Sequence, residues 1–306
     1  MTKSAKELLK IDTKETAENI EKHICNIVNE NSAKGAMVGL SGGLDSAVLS
    51  ALAVRALGKD RVHVYFLNSK QCDKDSEKKA RLVADWLGLK LNISSIEEVM
   101  RKKEESASFF KSISNLPPFM IRALAGLYYM VMGETVYMTS LRRNELMDSK
   151  FRRWIYDSMI KDIETMFDGV SIERRKLLEK ICKIENLLLI GAGNRSEDLT
   201  GWFNIGGLDD MPHSPINRLY KTQVRQLAAY LEVPVEIRSR ESIPDGLNGV
   251  TDASVLSMEY EKVDVVLYGI ENNLQDEEII KHGLTKGEIE RVRKLNRFSG
   301  WKRAVK

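Results

Sequence analysis

The chain has 306 residues, of which 43% are hydrophobic and 30% charged, with a formal net charge of +3. This is the composition of a soluble globular protein of one large or two ordinary domains, and so small a charge implies no nucleic-acid or membrane partner. The cysteines Cys25, Cys72 and Cys182 are odd in number and lack Cys-x-x-Cys spacing, which argues against a disulfide framework or zinc site and for a reducing, cytoplasmic setting.

The N-terminus opens on Lys3, Lys6 and Glu7, without the apolar core of a signal peptide. Residues 12–30 carry Ile20, Ile24, Ile27 and Val28 on one side and predict an amphipathic helix. A short apolar strand, Ala36–Leu40, runs into the turn Ser41-Gly42-Gly43-Leu44-Asp45-Ser46, and a helix from Ala47 to Leu57 stops at Gly58. Adjacent glycines let successive N–H groups approach an anion, and the helix N-terminus behind them adds positive charge. Ser41 and Ser46 offer hydroxyls, and Asp45 offers a carboxylate for Mg2+ against phosphates. The plainer reading is a tight Gly-Gly turn with a serine cap. A Walker A ending of Gly-Lys-Ser/Thr is missing.

A second strand is expected at Val62–Leu67, a helix near Asp75–Leu87 closed by Gly88, and a third strand near Leu89–Ile93. Strands separated by helices of this length predict a doubly wound parallel α/β sheet, with ligands at the carboxyl ends of its strands. Residues 104–168 lose that regularity and read as a helical insertion within a single domain spanning 1–306. Within it, Phe119–Gly133 is apolar on nearly all faces, which predicts a buried or interface helix. It contains Arg122 and falls short of the ~18–20 apolar residues of a membrane span. The pairs Arg142-Arg143 and Arg152-Arg153 read as a solvated basic face.

Helix 171–186 and strand Leu187–Ile190 restore the alternation and lead into Gly191-Ala192-Gly193-Asn194-Arg195-Ser196-Glu197-Asp198. Glu197 would stand at the same sheet edge as Asp45, so the two carboxylates could share one Mg2+. Taken alone, Ser196 and Glu197 are helix-cap residues. Leu219–Ala228 is helical, with Lys221 and Arg225 an i,i+4 basic pair.

The Ser41–Ser46 turn resembles the PP-loop of the N-type ATP pyrophosphatases, and the blocks together resemble the ammonia-dependent NAD synthetases. Five further blocks carry the resemblance: Gln71-Cys72-Asp73, Gly191–Glu197, Lys221-Thr222-Gln223-Val224-Arg225, Thr251-Asp252 and Trp301-Lys302-Arg303. It implies a doubly wound homodimer. It places Ser41, Gly42, Gly43, Leu44, Asp45, Ser46, Gln71, Asn194 and Lys221 on ATP, with Asp45 and Glu197 holding Mg2+. Asp45 and Lys221 are then the catalytic pair, Lys221 facing the departing pyrophosphate. The implied reaction adenylates a carboxylate, deamido-NAD in this family, and ammonia then displaces AMP. No amidase-like domain is recognisable, so nitrogen is expected from free ammonia or a separate glutaminase.

The departures cluster on the acceptor side. Asn204–Met211 replaces the family's aromatic-Gly-Asp-Gly-Gly loop, with Leu208 at the acidic position and Asp209 and Asp210 beside it. Arg174 or Arg175 stands in for an arginine block, and Ser242–Leu247 replaces a Pro-Ser/Thr-containing lid. Asp209, Asp210 and Arg174 are therefore the expected acid-binding residues. A different carboxylic acid is the alternative acceptor. A tRNA sulfurtransferase would need a basic RNA surface and a cysteine pair, and a non-catalytic nucleotide sensor would not need Asp45, Glu197 and Lys221 together.

Overall fold

The structure is a computed structural model that describes residues 3–68, 74–98, 101–102, 112–113, 116–142, 149–239 and 251–305. Gln71, Cys72, Asp73, Arg143 and the 242–247 segment lie outside the described residues.

Four parallel strands form the sheet: β1 (Gly35–Gly39), β2 (Val62–Asn68), β3 (Leu91–Ser95) and β4 (Leu187–Ile190), in spatial order β3-β2-β1-β4. Alternation along each strand builds two cores. Ala36, Val38, Val62, Val64, Phe66 and Ile190 face one side, while Met37, Leu67, Leu187 and Leu189 face the other, as the two-residue period of a strand requires. The first side is covered by α1 (Thr13–Glu30), α2 (Leu44–Leu57) and α3 (Lys74–Leu87). α2 buries Ala47 through Ala53 without a break, so it is a core helix rather than a surface one.

The segment beyond β3 is helical where it is described: α4 (Pro118–Met132), α5 (Val136–Arg142) and α6 (Lys150–Ile155), then one turn of π-helix at Tyr156–Ile160 and α7 (Lys161–Glu185). α7 covers the second side of the sheet with Met166, Val170, Leu178 and Cys182. After β4 come α8 (Arg195–Thr200), α9 (Lys221–Tyr230), α10 (Asp252–Leu256), α11 (Tyr260–Glu271) and α12 (Lys286–Phe298). α11 and α12 share a separate helical core with Met138, Leu141 and Leu199.

Several expectations are corrected. β3 starts at Leu91 because Gly88 and Leu89 close α3, their N–H groups bonding to Asp85 O (3.1 Å) and Ala84 O (2.8 Å). The helix expected at 171–186 begins earlier, inside the expected insertion of 104–168: α7 runs unbroken from Lys161, with Met166 and Val170 packed against the sheet. Of the two expectations for the apolar helix α4, burial or an interface, burial fails among the described residues over much of its length: Phe119 is 67% exposed and Met130 81%, while Met132 is buried. No described helix is long and apolar enough to cross a membrane. Arg142 and Arg152 are not a solvated basic face, since both pair with the buried Glu134, at 2.9 and 2.7 Å. Arg153 is exposed.

Candidate active site

The strand order reverses between β1 and β4, and the turns that follow these two strands meet at their carboxyl ends. Such a switch point is where a parallel α/β sheet opens a crevice. After β1 the chain turns through Gly42 at φ 75°, where a Cβ would lie 2.5 Å from Ser76 O. Only glycine fits there. Ser41 Oγ accepts from Gly43 N at 3.2 Å and lies 3.1 Å from Ser46 Oγ, which donates to Gly43 O. Gly43 is the N-cap of α2, and no side chain caps that helix. Its leading N–H groups and dipole are left to meet an anion.

After β4, Asn194 caps α8 in a reciprocal box with Glu197: Glu197 N donates to Asn194 Oδ1 (3.0 Å) and Asn194 N to Glu197 Oε2 (3.3 Å). Glu197 is thus a cap residue and more, because its other oxygen accepts from Lys221 Nζ at 3.3 Å. Lys221 Nζ also donates to Asp45 Oδ2, and Asn194 Nδ2 donates to Asp45 Oδ1 at 3.1 Å. Asp45, Asn194, Glu197 and Lys221 therefore form one cluster across three segments. Arg225, one turn along α9, pairs with Glu261 instead.

Lys221 is 2% exposed, with its ammonium 5.3 Å from the centre of the Tyr260 ring. Burial works against its charge, but Asp45, Glu197 and Asp252 outweigh that and hold its pKa above the usual lysine value. Glu197 is pushed up to about 8 by burial, which Lys221 opposes and Asp45, Asp209 and Asp252 reinforce. Asp252, bonded by Tyr260 Oη at 3.2 Å, is also raised by burial. Asp45 and Glu197 thus pair with one ammonium, and Asp252 adds its field from beside Tyr260.

Among the described residues no three His, Cys, Asp or Glu side chains form a metal cage. Mg2+ on a polyphosphate does not need one, because one or two carboxylates complete a shell of phosphate oxygens and water. Asp45 and Glu197 fit that donor set.

The cluster opens into a cavity of about 1070 Å3. Ser41, Gly43, Leu44, Asp45, Ser46, Glu197 and Lys221 line one end of it. Ile121, Leu124, Tyr128, Ile155 and Met159 line the other. Arg174, Leu208 and Asp209 lie along its wall. Asp210 does not face it; its carboxylate accepts from Gly206 N at 2.8 Å and ties the loop to itself. Gly42 and Asn194 act from behind the wall, and Gln71 is outside the described residues.

Asp252, Trp202 and Lys302 also line the cavity, and the expected site residues did not include them. Lys302 Nζ donates to Gly201 O at 2.7 Å and to Phe203 O, pinning the turn that carries Trp202. The Thr251-Asp252 and Trp301-Lys302-Arg303 blocks were the sequence signal for two of them.

The family model for NAD synthase matches residues 16–123 and 163–306. The chain belongs to the NAD synthase family. Within the family it is 32% identical to the NH(3)-dependent NAD(+) synthetase of Thermotoga neapolitana over 282 residues, 89% of this chain and 88% of the relative. It is 31% identical to the Hyperthermus butylicus enzyme of that name over 302 residues, 98% of this chain and 91% of the relative. Among solved structures, the NH3-dependent NAD synthetase of Campylobacter jejuni shares the fold at TM-score 0.64 and 21% identity, over 96% of each chain. The NMN synthetase of Francisella tularensis does so at 0.67 and 19%, over 96% of this chain and 97% of that one.

Proposed function

We propose that this chain is an ammonia-dependent NAD+ synthetase: it adenylates the nicotinate carboxylate of deamido-NAD with ATP and amidates it with ammonia. The observation that carries this reading is Lys221, a buried ammonium between Asp45 and Glu197, the first of which belongs to the Ser41–Ser46 turn. A carboxylate does not react with ammonia until its oxygen becomes a good leaving group. Attack of that oxygen on the α-phosphorus of ATP forms the mixed anhydride and releases pyrophosphate. Ammonia then adds to the acyl carbon, AMP leaves, and the surplus ammonium proton passes to solvent.

The N–H groups of the Ser41–Ser46 turn and the α2 N-terminus hold the phosphates. Lys221, kept charged by its carboxylate neighbours, offsets negative charge as pyrophosphate departs. Mg2+, held by Asp45 and Glu197, would supply further charge neutralisation at the phosphate oxygens. Asn194 orients Asp45 from behind. Arg174 and Asp209 face the acid, and the apolar far end of the cavity takes its ring.

The family match leaves out residues 124–162, which contribute Tyr128, Ile155 and Met159 to the cavity. We read them as an insertion that shapes the acceptor end inside a single domain. The exposed apolar face of α4, with the stacked Phe151 and Trp154 rings 6.2 Å apart, is a surface for a second copy of the chain. Free ammonia, or a separate glutaminase, supplies nitrogen to an enzyme working in the cytoplasm.

The test is incubation with ATP, Mg2+, ammonium and deamido-NAD, with NAD+, AMP and pyrophosphate assayed and a parallel arm holding nicotinate mononucleotide. NAD+ formed one-for-one with AMP is expected. Formation of ADP and orthophosphate, or AMP release indifferent to deamido-NAD, would sink the reading.

A further inference from the structure

Asp264 lies in the apolar run Val263–Leu267 of α11 and is fully buried. One of its oxygens accepts from Ser196 Oγ, and the other accepts from Thr222 N at 2.8 Å. Ser196 Oγ in turn accepts from Lys221 N at 2.8 Å. The three bonds close a ring through α8, α9 and α11, elements well separated along the chain. Ser196 immediately precedes Glu197, and Thr222 immediately follows Lys221. None of Ser196, Thr222 and Asp264 lines the cavity. The ring stands directly behind the Glu197–Lys221 pair.

A merely structural account is a buried cap for the first N–H groups of α9. Within the helix Gln223 Oε1 accepts only from Tyr220 N, at 3.0 Å, and the N-cap side chain serves no N–H of the first turn. A neutral acceptor would serve the remaining N–H groups without the cost of burying a carboxylate. What the carboxylate adds is two oxygens at fixed separation, one for each helix. We propose that Asp264 is a positioning residue that sets the spacing of Glu197 and Lys221, and with it the reach of the Lys221 ammonium. As a statement about catalysis, this rests on the synthetase reading above.

The experiment compares Asp264→Asn and Ser196→Ala with wild type, Ser196→Ala serving if the first variant folds poorly. Expected is a fall of about 30- to 100-fold in kcat for AMP formation, with the KM for ATP within about threefold of wild type, since small misplacement costs rate more than binding. The double variant is expected to be no slower than the slower single one, because both substitutions open the same ring. Acetylation followed by mass spectrometry reads the same geometry without turnover. Lys221 labelling should rise about tenfold in the variants as its protection loosens, while the exposed Lys176 is unchanged. Lower melting temperature with kcat and Lys221 labelling at wild-type values makes Asp264 a cap alone and overturns the proposal. If the wild type makes no NAD+, the functional reading fails, and Lys221 labelling by itself decides whether Asp264 positions it.

Discussion

At the phosphate end of the cavity each charged group is held by a partner from another segment: Asp45 by Asn194, Lys221 by Asp45 and Glu197. Asp45 follows β1, and Asn194 and Glu197 follow β4, strands that carry the cores on both sides of the sheet, while Lys221 opens α9. The acceptor end is built otherwise. Its walls come from α4, α6 and the π turn, which pack on one another through a small core of Met132, Ile155 and Ile160. An ionic hub at Glu134 gathers Arg142, Arg152 and Thr139 there. The acceptor end can therefore change without disturbing the sheet, whereas the phosphate end cannot. Rate and acid choice should separate along the same line.

The largest effect is expected from Lys221→Met, which leaves Asp45 and Glu197 without their ammonium. Pyrophosphate release should fall about 10²–10³-fold, the range for removing one preorganised group that stabilises developing charge. Circular dichroism should report an unchanged fold. Residual turnover within a few-fold of wild type would break the contrast at its stronger end.

Next is Glu134→Gln, which takes the counter-charge from two arginines while keeping the shape. A loss of about 1–3 kcal/mol in local stability is expected, the cost of unmade polar contacts. Hydrogen exchange should quicken across α4 and α5 and stay slow in β1 and β4. Uniform quickening would mean that the two ends are not separable.

Asp209→Ala should raise the KM for the acid about tenfold and leave that for ATP nearly fixed, a fall of one polar contact's worth. Asp210→Ala should act instead by loosening the loop, because its carboxylate is spent on Gly206 N. Reversed phenotypes would show that the loop turns the other way with substrate bound.

The smallest effect lies outside both ends. Glu288 caps α12, bonds Lys262 and has its pKa lowered to about 2. A folded-state value below the unfolded one gives stability that is present above about pH 4.5 and lost as pH falls through about 2. Glu288 is largely solvent-screened, so the contribution is at most ~1 kcal/mol. Glu288→Gln should lower the melting temperature slightly at pH 7 and not at pH 2, as calorimetry can read.

Much of the phosphate end was legible because its chemistry is local in sequence. The Gly-Gly turn, the apolar strand before it and the helix after it identify one another within a score of residues. Glu197 was harder, since a cap and a ligand look alike until the sheet brings β4 beside β1. Asp264 left one mark, a lone acid among valines, and its partners are brought to it only by the packing of α8 and α9. The acceptor end was least legible. Apolar residues on every face of α4 predicted a buried or interface helix; Met132 is buried with Ile155 and Ile160, and Phe119 and Met130 stay exposed among the described residues. The arginines of 142 and 152 read as solvated because Glu134, their partner, carries no periodic signal tying it to them.

The π turn at Tyr156–Ile160 has a consequence for phase. Ile155 and Ile160, five residues apart, pack into the same small core with Met132. In a regular helix each residue advances by about 100°, so residues five apart point in clearly different directions. The wider turn absorbs that mismatch and leaves α6 rotated with respect to α7. Wound as an ordinary α-helix with every residue kept, the same stretch would swing α6 about its own axis by about 100°. Arg152 would then leave Glu134, although no residue of the hub had been altered. What brings that guanidinium to its carboxylate is the winding of a single turn, which carries one residue more than an α-turn and keeps the faces on either side of it in phase.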